Sequence, residues 1–396
     1  MPPRLPAPRG PLSRALLDHL QTGSPLDAAP AAEVDALTDD DLHLALWCCY
    51  ELHHHGFEGL GDQWEWDAET LAFRAELERA FEAALRTEHQ PGSLPTDPQV
   101  ALRVIGTWAG PSLSRTVEHD GMRWQLQEFA IHRSAYQLKE ADGHTWGLPR
   151  LTGEGRSAMI QIQSDEYGEG ELGEAHAELF AKAMTELGLC ADFGHYVDRL
   201  PGVTLATDNL VSMFGLNRRL RGALVGHLAL FEMVSVVPMS RYLTAARRQG
   251  DLPALERFYE VHVEIDAHHA DLALNGMVGP LAEAEPDLAP DMIFGAAALS
   301  RVEARFARHV LTAWNEGHSS LLDPPPTADA DDDVIDLVDR PARFEVPEPS
   351  SGADGCDRDR SNRDPSDGQP SAGPATDGPP AGTDAPIVRR IESASG

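Results

Sequence analysis

Apolar residues recur every three or four positions over most of residues 1–322, which is the period of an amphipathic helix. The stretches with this pattern are 39–52, 68–86, 125–141, 175–187, 205–235, 252–273 and 292–316. The first stretch begins with Asp39, Asp40 and Asp41, and carboxylates in a first turn complement the helix dipole. Alternation of apolar and polar residues, which is typical of a strand, is confined to residues 159–163. The pattern therefore predicts an all-α protein without internal repeats.

The composition changes at Asp323, which three consecutive prolines follow. Residues 323–396 are rich in proline and acidic side chains, and Phe344 is their single aromatic residue. Such a segment buries too little apolar surface to offset the entropy of ordering it. We therefore expect a helical domain over 1–322, made of N-terminal helices in 1–120 and a core in 121–322, and a disordered acidic tail over 323–396.

The chain has 396 residues and a formal net charge of −32 at pH 7. A surface of that charge repels phosphate backbones and anionic lipids, so we expect neither nucleic-acid nor membrane-surface binding. The four cysteines include one adjacent pair and no C-x-x-C motif, which favours a reduced, cytoplasmic protein. No run approaches 18 apolar residues, and prolines interrupt the N-terminus. These features predict neither a transmembrane helix nor a secretory signal.

The strongest chemical signal lies in the stretch 252–273. His262, Asp266 and His269 stand at positions i, i+4 and i+7, so a helix places all three side chains on one stripe. Apolar neighbours such as Val261 and Ile265 indicate that this helix is packed in the interior, where an unpaired charge is costly. A bound metal would remove that cost, and imidazole with carboxylate suits iron, manganese or zinc.

Three further segments could supply ligands to the same metal. Glu232 is an isolated carboxylate in the apolar sequence 227–234, and its burial would be unfavourable without a cation. Residues 164–176 are dense in carboxylates and end at His176, and residues 137–146 form another polar cluster. An ion pair between Lys139 and Glu140 would be weak there, because adjacent residues on a helix do not face each other.

The candidate ligands, in chain order, are Glu140, Glu166, His176, Glu232, His262, Asp266 and His269. This order resembles that of the haem-oxygenase-like diiron oxidases and oxygenases, which are iron-containing redox enzymes. The spacing is most similar to that of the N-oxygenating branch, which builds N-nitrosoureas. The resemblance implies an all-α, haem-oxygenase-like helical bundle that holds two Fe2+ ions and reacts with O2. It implies the six ligands Glu140, His176, Glu232, His262, Asp266 and His269, with Glu166 as an extra carboxylate. Glu169 remains an alternative to Glu166, because it precedes His176 by seven residues and would share its helical face unless the intervening glycines break the helix.

The expected function is therefore the oxidation of a small metabolite by O2, through N-oxygenation or C–H activation of an amino-acid-like substrate, with an external electron donor. Trp146 and Arg150 lie close to Glu140 in sequence and are candidate pocket residues, and Arg133 and Arg241 are candidate anchors for a substrate carboxylate. A homodimer is left open.

Two alternatives remain. A non-catalytic helical scaffold could bind structural zinc through the same side chains and recruit a partner through its tail. Haem degradation on the same fold is less compatible with so many carboxylates. A ferritin-like site would need Glu-x-x-His on two helices, and the sequence offers only the one that begins at Glu51.

Overall fold

A computed structural model describes residues 2–30, 34–89 and 91–323. Their α-helices, in chain order, are α1 (Pro11–Thr22), α2 (Asp40–Glu51), α3 (Ala68–Glu88), α4 (Pro98–Ile105), α5 (Leu113–Asp120), α6 (Arg123–Gln137), α7 (Asp142–Thr145), α8 (Gly153–Glu166), α9 (His176–Glu186), α10 (Gly202–Leu216), α11 (Arg221–Gln249), α12 (Pro253–Asp271), α13 (Gly279–Ala284) and α14 (Ala289–Asn315). A π-helical segment, Leu272–Val278, continues α12. No β-strand occurs in these ranges, and the all-α prediction is confirmed.

Several helices begin where the sequence supplies a capping carboxylate. The side chain of Asp39 accepts a hydrogen bond from the amide of Leu42 at the start of α2, and Asp67 does the same for Thr70 in α3. These side chains satisfy backbone amides that have no partner within the helix. In α12, Pro253 occupies the first turn, where its missing N–H costs nothing.

The core is built around α11, which packs against α12 on one side and α14 on the other, while α10 packs against α2 and α14. Glycines permit the close crossing of α11 and α14. A Cβ atom at Gly226 would overlap the carbonyl of Met292, and one at Gly295 would overlap the carbonyl of Ala223. The two backbones are therefore in direct contact, which fixes the position of α11 in the bundle.

Three local predictions need correction. The stretch 205–235 forms two helices, because the chain turns between the end of α10 at Leu216 and the start of α11 at Arg221. Residues 159–163 lie inside α8, where Ala158, Met159 and Ile162 are buried at helical spacing. The stretch that begins near 125 ends as α6 at Gln137, four residues earlier than expected. The predicted disordered tail begins at Asp323, and residues 324–396 lie outside the described residues.

Residues Arg218–Gln249 include a window of mean hydropathy 1.6, which is long and apolar enough to cross a membrane by length and composition. No helix of this kind was predicted from the sequence, because the segment has no long uninterrupted run of apolar residues. Within the structure, 67% of that window is buried against other parts of the protein. Core helices commonly have such a composition, and Glu232 and Pro238 lie within this one.

Candidate metal centre

The structure brings all seven predicted ligands together in the interior, and none of them is more than 8% exposed. They form two groups, within each of which the candidate ligand atoms lie no more than 4.8 Å apart. The first group is Glu140, His176 and His262, and the second is Glu166, Glu232, Asp266 and His269.

Helix α12 contributes to both groups, because its stripe of polar residues turns inward. His262 lies in the first group, where its Nε2 is 3.6 Å from Oε2 of Glu140 and its ring centroid is 4.3 Å from that of His176. Asp266 and His269 lie in the second group, one and two turns further along the helix. The spacing recognised in the sequence thus places one helix along both halves of the site.

Two histidines are held by their outer ring nitrogens. The Nδ1 of His262 donates a hydrogen bond to the carbonyl of Phe258 at 2.7 Å, one turn earlier in α12. The Nε2 of His269 donates to Oδ2 of Asp165 at 2.9 Å. In each ring the other nitrogen faces the carboxylates and has no hydrogen-bond partner. Metal-binding histidines characteristically have this arrangement, in which an outer acceptor fixes the ring.

Glu166 and His176 meet across a break between two helices. Glu166 is the last residue of α8 and His176 is the first residue of α9, and glycines with positive φ lie between them. The chain therefore reverses, and Oε2 of Glu166 comes within 2.8 Å of Nδ1 of His176. This contact joins the two groups. Glu169 is exposed in the connecting segment, so the structure brings Glu166 rather than Glu169 into the cluster.

Comparison with known proteins agrees with this geometry. Residues 127–304, which include all seven residues, match the model of a family described as iron-containing redox enzymes. Over these residues the chain is similar to the iron-containing redox enzymes. The haem-oxygenase-like fold class expected from the resemblance is thereby confirmed.

A nitrosourea synthase from Streptomyces achromogenes subsp. streptozoticus is 30% identical to this chain over 161 residues. The matched region is 40% of this chain and 34% of that relative. The chain thus aligns with about a third of the relative's length.

Burial and neighbouring charges perturb the titration of the cluster. Burial raises the pKa of Glu232 to about 8. Burial also opposes ionisation of Glu166, but the adjacent His176, His262 and His269 outweigh it and lower the pKa of Glu166 to about 2. Burial lowers the pKa of His262, yet Glu140 overcomes this effect and raises it to about 10. Protons therefore balance the buried carboxylates of the cluster when no cation is bound.

The donor set fits iron. Four ligand atoms are buried without a hydrogen-bond partner: Glu140 Oε2, His176 Nε2, His262 Nε2 and His269 Nδ1. Their burial is costly unless a cation binds them. Imidazole and carboxylate are ligands that iron accepts, and the two groups contain no thiolate. The iron expected from the family therefore has suitable ligands in these residues.

The four predicted substrate residues lie in different surroundings. Arg133 donates two hydrogen bonds to the carboxylate of Glu303, at 2.9 and 2.6 Å, and Arg241 is 3.5 Å from Glu118. Both guanidinium groups thus already have protein partners, which weighs against a role as substrate anchors. Trp146 is half-buried near His54, and Arg150 donates to the carbonyl of Leu216.

Two neighbouring features escaped the sequence interpretation. Asp165, the hydrogen-bond acceptor of His269, was not distinguished from the other carboxylates of its segment. His144 and His227 form a buried pair with their Nε2 and Nδ1 atoms 3.0 Å apart. The single available signal for Asp165 was its position beside Glu166. His144 and His227 are 83 positions apart, so no local sequence pattern indicated that they form a pair.

Proposed function

We propose that this protein is a non-haem diiron oxygenase or oxidase that uses O2 to oxidise a small organic metabolite. The observation that carries the proposal is the pair of adjoining, fully buried ligand groups. One group alone would suit a single structural metal. Two groups in contact through Glu166 and His176 suit a centre of two ions.

In this proposal Glu140, His176 and His262 hold one ion, and the remaining four residues hold the other. The bound Fe2+ pair would supply the reducing electrons for activating O2, which carboxylates and imidazoles cannot provide. The cluster contains four carboxylates, whose combined charge matches that of two ferrous ions. The protein can therefore bury both ions with little net charge, which limits the desolvation cost.

The surrounding residues would orient the ligands and exclude water. Asp165 and the carbonyl of Phe258 hold the rings of His269 and His262. The ring of Phe258 packs against that of His262. Phe180 packs against Phe258, and the ring centroids of these two phenylalanines are 5.1 Å apart. An apolar wall of this kind keeps bulk water away from a reactive centre.

The substrate we propose is a small amino-acid-like molecule, oxidised at nitrogen or at a C–H bond beside an amine or carboxylate. Support comes from the relative named a nitrosourea synthase, although this chain aligns with only about a third of it. An external electron donor would return the centre to the ferrous state after each turnover.

Anaerobic titration of the metal-free protein with Fe2+, followed by rapid mixing with O2 and visible spectroscopy, tests the proposal. We expect about two irons per chain and an absorption band that forms and decays only after O2 is added. Candidate amines and amino acids should change the decay rate of that band. Uptake of a single, redox-silent zinc ion in place of iron would instead indicate a structural scaffold.

A further inference from the structure

A buried lysine lies directly beside Glu140 in sequence. Lys139 is 5% exposed, and its Nζ atom is 3.3 Å from Oε2 of Glu51 and 3.0 Å from Oδ2 of Asp208. Glu51 is the last residue of α2, and Asp208 lies in the middle of α10. The ammonium group also lies 5.5 Å from the ring centroid of Phe193. Lys139 is therefore attached to two helices that contribute none of the seven clustered side chains.

Lys139 and Glu140 occupy a tight turn between α6 and α7. The amide of Lys139 donates to the carbonyl of Tyr136, and the amide of Asp142 donates to the carbonyl of Lys139. Ala141 has φ +78°, in a region that side-chain-bearing residues rarely adopt. Such a conformation is unfavourable and persists only where the surrounding structure enforces it.

The two adjacent side chains of this turn face different parts of the protein. Lys139 faces α2 and α10, whereas Glu140 faces His262 on α12. Helix α7 spans only Asp142–Thr145, too short to hold the turn by its own hydrogen bonds. The ion pairs of Lys139 are long-range contacts that tie the turn to α2 and α10, while Glu140 next to it approaches α12.

We propose that Lys139 is a positioning residue for the metal centre. Its ion pairs with Glu51 and Asp208 hold the 138–141 turn in its strained form, and this places the carboxylate of Glu140 beside His262. The inference rests on the proposed function for the metal, but the anchoring of the turn is a property of the metal-free protein and can be tested there.

The most direct substitution, Lys139→Met, would leave Asp208 buried without a cation and Glu51 with His55 as its remaining partner, and this could unfold the protein. The informative variant is therefore the neutralised triple, Lys139→Met with Glu51→Gln and Asp208→Asn, because replacing a whole buried charge cluster is often tolerated. Glu51→Gln alone is a milder variant that keeps the pair between Lys139 and Asp208.

A matched control neutralises another buried pair that touches α2. Arg74 and Glu78 lie 3.4 Å apart, and their side chains are 14% and 6% exposed. The variant Arg74→Met with Glu78→Gln removes a comparable pair without touching the 138–141 turn.

Two readouts decide the matter. In the metal-free triple variant, hydrogen exchange of a peptide covering 138–144 should be faster than in wild type, while exchange in α12 and overall helicity stay the same. In the Fe2+ titration, one of the two ions should bind about 10- to 100-fold more weakly, the range typical of lost outer-shell partners. The control should behave as wild type in both, and Glu51→Gln should move both in the direction of the triple variant.

Unchanged exchange of 138–144 in the triple variant would overturn the positioning role, as would equal exchange in the triple variant and the control. If the wild-type protein bound no iron at all, the proposed function would fail, and the exchange measurement would still decide whether Lys139 fixes the turn.

Discussion

Replacing Asp266 with alanine distinguishes a metal ligand from an ordinary buried acid. Asp266 is 2% exposed on α12, and its carboxylate lies within 4.8 Å of the ligand atoms of Glu166 and Glu232. At that separation two ionised carboxylates repel each other by about 3.5 kcal/mol if the effective dielectric constant is about 20. Burial raises the pKa of Asp266 as well, which shows that its charge is disfavoured in the metal-free protein.

The substitution should therefore affect the metal-free and metal-bound proteins in opposite directions. Without metal, Asp266→Ala removes a destabilised charge, so the melting temperature should stay equal to that of wild type or rise. With Fe2+, the variant loses a ligand, and the affinity should fall at least as much as for lost outer-shell partners, by about 10- to 100-fold or more. The O2-dependent colour should disappear while helicity is kept.

The assay is thermal unfolding under anaerobic conditions, with and without Fe2+, combined with a binding titration. Glu264→Ala is the control, because Glu264 is exposed on the same helix two residues away. A lower melting temperature for metal-free Asp266→Ala together with an unchanged response to Fe2+ would refute the assignment, since that is the behaviour of a purely structural buried acid.

Three further predictions concern Glu166, Asp165 and His43. Glu166→Gln should weaken Fe2+ binding in a titration, whereas Glu169→Gln should not, because Glu169 is exposed and belongs to neither ligand group. Equal effects of the two substitutions would contradict the choice of Glu166. Asp165→Ala removes the acceptor that orients His269 and should weaken Fe2+ binding about 10- to 100-fold without abolishing it, which the same titration would show. Burial lowers the pKa of His43 from 6.5 to about 4, so this residue's contribution to stability is complete above pH 6.5 and is lost as the pH falls toward 4. Urea unfolding at pH 7.5 and 5.0 should show wild type losing about 2 kcal/mol more than His43→Gln, and equal losses would contradict a neutral buried imidazole.

The part of the site on α12 could be predicted from the sequence alone. His262, Asp266 and His269 repeat at helical spacing among apolar residues, and helical geometry then requires a shared face. Glu232 was identifiable for a related reason, as a carboxylate in a sequence that is otherwise apolar. Local periodicity carries this kind of information because it reports which side of an element is buried.

Residues outside regular helices could not be placed in that way. Glu140 lies in a turn whose conformation depends on Ala141 at positive φ, so its inclusion came from the family resemblance and not from a pattern. The choice between Glu166 and Glu169 depended on where α8 ends, and unbroken helical spacing favoured Glu169, which the structure places outside the cluster. The glycines of the connecting segment were the signal that a break occurs there.

Contacts between distant segments were beyond the reach of the sequence. A pair between Lys139 and Glu140 was set aside correctly, but nothing near Lys139 identified its partners Glu51 and Asp208, which are 88 and 69 residues away. The break between α10 and α11 was also missed, because one helix ends at Leu216 and the next begins at Arg221 within a continuous stretch of helical pattern.

The central claim is that two adjoining groups of side chains each hold one iron ion. Anomalous diffraction at the iron absorption edge, from crystals grown anaerobically with Fe2+, tests it most directly. We expect two iron positions, one bound by Glu140, His176 and His262 and the other by Glu166, Glu232, Asp266 and His269. A single iron position shared by the seven residues, or iron bound elsewhere, would contradict the claim.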